Sequence, residues 1–253
     1  MSELALTPQP VTQMAPLGIA YGGFALLRQA AGISGAQSAG NEPCWCYLFR
    51  ALRRFPNLVP MNLNHQNLCP SPEWAAHLQT DILPAVTAGV SLGSDMLEIG
   101  PGPGAATDWL RGRVDRLTAV EIDPDAARRL AERFAGANVE IRTGDATALT
   151  DADASFDSVG SFTMLHHVAT MAGQNQILAQ AFRVLRPGGV LVCSDSLASN
   201  DLHLFHAEDT YNPVEPSSVL SRLQMLGFEK ITVTVDGALM FAARKPGGTP
   251  VPG

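Results

Sequence analysis

From residue 94 to residue 244, short apolar runs alternate with stretches in which apolar positions recur every three or four residues. The runs predict strands at Asp95–Gly100, Leu117–Asp123, Val139–Thr143, Phe156–Phe162 and Val190–Ser194. The stretches between and after them predict helices at Gly104–Gly112, Pro124–Phe134, Ala172–Leu185 and Pro216–Leu226, the last stopped by Gly227. Glu229–Asp236 and Leu239–Arg244 read as two further strands joined at Asp236-Gly237, a hairpin signal. The alternation of strand and helix predicts an α/β fold, with a mostly parallel sheet covered by helices on both faces and a closing antiparallel hairpin.

The first ninety residues have a different rhythm. Residues 1–40 are rich in Ala, Gly, Gln and Pro and read as a tail, partly disordered, with a short helix over 17–31. Residues 41–90 read as a helical extension or lid. Trp45–Phe55 has helical spacing, Pro56 and Pro60 break the chain, and Ser71-Pro72-Glu73 opens a helix expected to run from Pro72 through Ile82 and to end near Pro84. Residues 91–246 then form the main domain and 247–253 a C-terminal tail.

With 46% hydrophobic residues the 253-residue chain can bury a full core. Its formal charge of −7 disfavours a nucleic-acid partner, which normally meets a basic surface. Cys44, Cys46, Cys69 and Cys193 lack the spacing of a zinc knuckle and read as free thiols. No segment is long and apolar enough to span a bilayer, and Leu17–Ile33 lacks the basic lead-in of a signal peptide; a cytoplasmic location is expected.

The chemistry concentrates at Leu97-Glu98-Ile99-Gly100-Pro101-Gly102-Pro103-Gly104. Glycines after a strand turn the backbone tightly and let a ligand approach the main chain. Glu121 ends the next strand, where a carboxylate can accept both hydroxyls of a ribose. Asp145-Ala146 follows the third strand, and Asp145 there could take the exocyclic amine of adenine. The glycine spacing also fits a dinucleotide fingerprint. Glu98 before the loop, Asp145, Arg186-Pro187-Gly188-Gly189 and the closing hairpin favour a different nucleoside cofactor.

Over roughly residues 72–245 the chain resembles the class I S-adenosylmethionine-dependent methyltransferases. Glu98–Gly104 is similar to their first motif, Glu121 to the ribose-binding acid and Asp145-Ala146 to the adenine-binding pair. Phe156–Val159 with Thr163–His167, and Arg183–Gly189, resemble the small-molecule branch that includes the ubiquinone and menaquinone methyltransferases. The resemblance implies a Rossmann-like seven-stranded sheet in the order 3-2-1-4-5-7-6. It also implies S-adenosyl-L-methionine held by Glu98, Gly100, Pro101, Gly102, Gly104, Glu121, Ile122, Asp145, Ala146, Phe162 and Thr163. The loop is also similar to that of ribosomal RNA adenine dimethyltransferases, but Ser161-Phe162-Thr163-Met164 stands where their base-stacking motif would be.

The implied reaction is in-line methyl transfer to a small organic acceptor, by O-, C- or N-attack. A hydroxyl acceptor benefits from a base near neutral pH, for which His206, His167 and His203 are candidates. His203, His206, Glu208 and Asp209 lack a recognised metal-ligand spacing, and no metal is expected. Met61–Asn67, rich in side-chain amides, reads either as a segment that folds over the cofactor, with Asn64 and His65 lining the cofactor or substrate mouth, or equally as a plain loop capped by its own Asn side chains. The expected partner is a small-molecule acceptor, with a homodimer allowed and neither nucleic acid nor a membrane span. The alternatives are a non-catalytic binder of S-adenosylmethionine, an rRNA or protein methyltransferase, and an NAD(P)-dependent oxidoreductase.

Overall fold

The structure is a computed structural model, and it describes residues 61–247. The tail at 1–40, the helix at Trp45–Phe55 and residues 248–253 lie outside the described residues, as do Cys44 and Cys46. Cys69 and Cys193 are free thiols.

Seven strands form one sheet in the order β3-β2-β1-β4-β5-β7-β6. They are β1 (Asp95–Ile99), β2 (Arg116–Glu121), β3 (Val139–Thr143), β4 (Phe156–Phe162), β5 (Leu185–Asp195), β6 (Glu229–Asp236) and β7 (Ala238–Arg244). The first five pair in parallel, while β7 runs antiparallel to both β5 and β6. Central strands such as β1 and β4 are buried on both faces, which is why they read as continuous apolar runs. The edge strand β6 is largely exposed.

The helices are α1 (Leu63–Leu68), α2 (Pro72–His77), α3 (Leu83–Val86), α4 (Ala105–Leu110), α5 (Pro124–Arg133), α6 (Met171–Val184), α7 (Asn200–Phe205) and α8 (Pro216–Met225). One core layer packs α6 and α8 on the sheet through Val159, Ile177, Leu191, Leu223 and Phe241. The opposite layer packs the α2–α4 side through Leu78, Leu83, Met96, Leu110 and Val192.

Three local departures have physical causes. The helix that opens at Pro72 ends at Val86, two residues past Pro84, and a π turn at Leu78–Ile82 carries it into α3. Leu83 N–H donates to the Leu78 carbonyl, a longer ring than the α-helical one, and Pro84 then stands at the start of α3, where no N–H is required. The expected loop at Met61–Asn67 contains α1, because Asn62 caps it by accepting from His65 N–H. Strand β5 begins earlier than expected, at Leu185, so that Arg186–Gly189 lies within it.

That early segment fastens the end of the sheet remote from the glycine loop. Arg186 Nη1 donates to Asp157 Oδ1 at 2.6 Å and to Asp95 Oδ2 at 3.1 Å. Asp157 Oδ2 accepts from the Ser94 and Asp95 N–H groups, each at 3.0 Å. A side chain at Gly189 would meet the Asp157 and Arg186 carbonyls, each at 2.9 Å, so only glycine fits there.

Candidate functional site

The carboxyl ends of β1, β2 and β4 surround a cavity of about 400 Å³. β1 delivers the chain into the glycine loop, where Gly100, Gly102 and Gly104 all take positive φ, at 68°, 53° and 87°. Gly100 N–H donates to the Val120 carbonyl at 2.9 Å, which ties the loop to β2. A Cβ at Gly100 would lie 2.3 Å from Met164 Cγ, whereas one at Gly102 would meet nothing within 4 Å.

The acids expected from the sequence converge on this loop. Glu98 is buried, and its Oε2 accepts from Thr107 Oγ1 at 2.7 Å. Burial, with Glu121 and Asp108 nearby, pushes its carboxyl up to about 7 despite the Thr107 bond. Glu121 accepts from Gly102 N–H at 3.2 Å and from Asp123 N–H at 3.0 Å. Burial raises its pKa as well. Asp145 Oδ1 accepts from Thr147 N–H and Oγ1 at 2.8 and 2.7 Å, which fixes the carboxylate on the cavity wall.

Of the eleven residues expected to hold the cofactor, Glu98, Gly100, Pro101, Gly102, Glu121, Ile122, Asp145, Ala146, Phe162 and Thr163 all line the cavity. Gly104 lies behind the wall instead: its Cβ would strike Leu130 at 2.8 Å and Phe134 at 3.1 Å, so it seats the loop against α5. Thr163 carries positive φ, at 52°, uncommon for a β-branched residue, and its N–H donates to the Ser194 carbonyl at 2.8 Å.

The three candidate bases separate. His167 lines the cavity. His203 is exposed on α7 and lies outside the cavity wall. His206 follows α7 and is buried, also outside the cavity wall, with its ring stacked on Tyr211 at 4.3 Å. Although only three residues apart, the two differ because His203 is within the helix and His206 caps its end. His65, on α1, is buried beside His206 and does not face the cavity, and Asn64 bonds to the Phe205 carbonyl. Sequence reasoning missed His166, which is buried with its Nδ1 on Asp195 Oδ1. It also missed Trp74 and Leu78 in the cavity wall. A His-His pair just after a strand was the available signal for His166.

Residues 97–193 match a family model described as a methyltransferase domain. This chain carries a methyltransferase domain. The domain is 34% identical over 107 residues to a demethylmenaquinone methyltransferase of Tropheryma whipplei, a match covering 41% of this chain and 42% of that one. It is 35% identical over 117 residues to the erythromycin 3''-O-methyltransferase of Saccharopolyspora erythraea, covering 44% and 37%. The chain thus spans about two fifths of the length of these curated relatives. Its fold is shared with a phosphoethanolamine N-methyltransferase of Haemonchus contortus, solved in complex with S-adenosyl-L-methionine. That match has a TM-score of 0.56 and 16% identity, and it covers 69% of this chain and 56% of the other. A probable S-adenosylmethionine-dependent methyltransferase of Mycolicibacterium smegmatis is 34% identical over 102 residues, covering 40% of this chain and 38% of that one, and the fold is the Rossmann-like one in the expected strand order. No helix among the described residues is long and apolar enough to cross a membrane.

Proposed function

We propose that the protein transfers the methyl group of S-adenosyl-L-methionine to a small organic acceptor. The observation that carries this reading is one continuous cavity. Its wall runs from Glu98 through the glycine loop to Glu121 and Asp145, then past Phe162 and Thr163 to a region bounded by Trp74 and His167. The first part suits a nucleoside with a charged amino-acid tail. Glu121 would hold the ribose hydroxyls, Asp145 the adenine amine and Glu98 the ammonium, whose positive charge would favour the ionised carboxylate. The second part leaves room for an acceptor beside the sulfonium. A cavity of about 400 Å³ lies in the range of small-molecule sites. Acceptors of small size in the relatives, demethylmenaquinone and erythromycin by their names, support the same class.

In this reading the rate comes from alignment of nucleophile, methyl carbon and sulfur, an effect that can supply roughly 7–11 kcal/mol of a barrier. A histidine base is not central to it. His167 is the only one of the three candidates on the cavity wall. Burial, reinforced by His166, His65 and His206, lowers its pKa to about 2, which leaves it a poor proton acceptor.

Calorimetric titration with S-adenosylmethionine tests the cofactor half. Glu121→Ala and Gly102→Val should each lose most of the affinity, and wild-type affinity in both would refute the assignment. Methyl transfer to a panel of small phenols, alcohols and amines, run beside RNA and protein substrates, tests the acceptor half. Turnover confined to macromolecules would overturn it.

A further inference from the structure

Four histidines from three separate segments meet at one point beside the cavity. They are His65 on α1, His166 and His167 on the turn after β4, and His206 after α7. One nitrogen from each lies within 4.8 Å of the corresponding nitrogen of every other.

The remaining ring nitrogens all have acceptors. His65 Nδ1 lies 3.0 Å from Asn62 Oδ1 and 3.1 Å from Asp209 Oδ2. The Asn62 amide cannot be turned round, because its Nδ2 donates to the Phe205 and Ala207 carbonyls at 2.7 and 3.1 Å. His166 Nδ1 bonds Asp195 Oδ1 at 2.5 Å, and His206 Nδ1 donates to the Leu202 carbonyl at 2.6 Å. A ring N–H of His167 donates to the Thr210 carbonyl. Each ring is therefore fixed as a tautomer by an oxygen on its outer side, the arrangement that outer-shell partners impose on metal-bound imidazoles.

The inner side is left with a conflict. His65 and His206 each spend their ring proton outward, yet their Nε2 atoms face each other at 3.1 Å. Two lone pairs at that distance repel unless a cation lies between them. A tetrahedral ion with nitrogen ligands at about 2.0–2.1 Å sets its ligands roughly 3.3 Å apart. The His65–His206 pair already has about that spacing, and the widest pair needs a small inward turn. Charge balances too: four neutral imidazoles leave a divalent ion its two charges, matched by the Asp195 and Asp209 carboxylates behind them.

We propose that His65, His166, His167 and His206 bind one divalent first-row transition-metal ion, zinc by preference, in a four-nitrogen site that fastens α1 to the turn after β4 and to the end of α7. With all four positions taken by protein, the ion is structural, and it shapes the cavity rim through His167. The site does not depend on what is methylated.

The test uses the full-length protein produced in zinc-supplemented medium. Elemental analysis should find about one zinc per chain. Chelation with dipicolinate should lower the melting temperature, and zinc, but not magnesium, should restore it. Cobalt(II) loaded in its place should show the intense visible bands of a tetrahedral site. Asp195→Asn keeps all four ligands and should weaken zinc binding roughly 10–100-fold through loss of the outer-shell carboxylate. His206→Gln should weaken it further, and His77→Gln, an exposed histidine on α2, should leave it unchanged. Substoichiometric metal in the wild type, with no response of its melting temperature to added zinc, would overturn the proposal. So would wild-type zinc affinity in a folded His206→Gln protein. The wild-type measurements decide the question even where a variant fails to fold.

Discussion

Gly100 and Gly102 sit two residues apart in one loop with similar positive φ, yet they should fail in different ways when changed to alanine. The left-handed conformation costs an L-residue about 1–2 kcal/mol at either position. At Gly102 nothing further is added, because the new methyl enters open cavity. At Gly100 the methyl would sit 2.3 Å from Met164 Cγ, well inside contact distance. Pushing Met164 aside should add about 1–3 kcal/mol of overpacking. The ligand-free Gly100→Ala protein should thus lose roughly 2–5 kcal/mol in urea unfolding, and Gly102→Ala roughly 1–2. Affinity for S-adenosylmethionine should show the reverse emphasis, with Gly102→Ala hit harder than its stability loss suggests. Met164→Ala should recover part of the Gly100→Ala loss, with a coupling of about 1 kcal/mol or more, since the two groups touch. Equal stability losses for the two glycines, together with no coupling to Met164, would refute the reasoning.

Other outcomes follow from features already described. The Glu98 carboxyl is raised from 4.5 to about 7, so the ligand-free fold binds a proton there that the unfolded chain releases. Stability should therefore fall as pH rises from about 4.5 to 7, by about 3 kcal/mol at most, and Glu98→Gln should flatten that part of a melting-temperature profile. Asp157→Ala should cost more than Arg186→Ala in chemical denaturation. The arginine loses partly exposed ion pairs worth about 1 kcal/mol or less, whereas the aspartate also abandons the Ser94 and Asp95 N–H groups. Phe241→Ala, in the centre of β7, should cost about 3–5 kcal/mol and lower the melting temperature without altering cofactor stoichiometry.

The central strands were legible because burial on both faces leaves an unbroken apolar run, and the first and fourth were bounded within a residue. The cofactor wall was legible for a related reason: strand, glycine and acid are close in sequence, so spacing alone carries them to one place. Pro84 marked the end of that helix to within two residues, and what the sequence did not show is the widened turn before it that admits a proline. The amides of Met61–Asn67 looked like loop chemistry, yet one of them, Asn62, is what starts a helix. The histidine cluster was beyond reach of local reading, since its members lie on three segments whose meeting is set by the sheet. His203 and His206 were both candidates in the sequence, and the docking of α7 leaves the first exposed and buries the second.

The contact between His65 and His206 joins positions 141 residues apart, and this separation bears on the order in which the molecule is built. Closing a free loop of that length costs about 4 kcal/mol in chain entropy. Once the π turn has packed on the sheet through Leu78, the free stretch shrinks to the twelve residues between His65 and that anchor, and about half of the cost disappears. A rim contact that is costly early thus becomes less costly late. α1 is also held by side chains, through Asn62, Asn64 and His65, and not by a strand ladder. It can therefore detach and re-dock while every strand stays paired, and opening of the mouth is energetically separate from unfolding of the body.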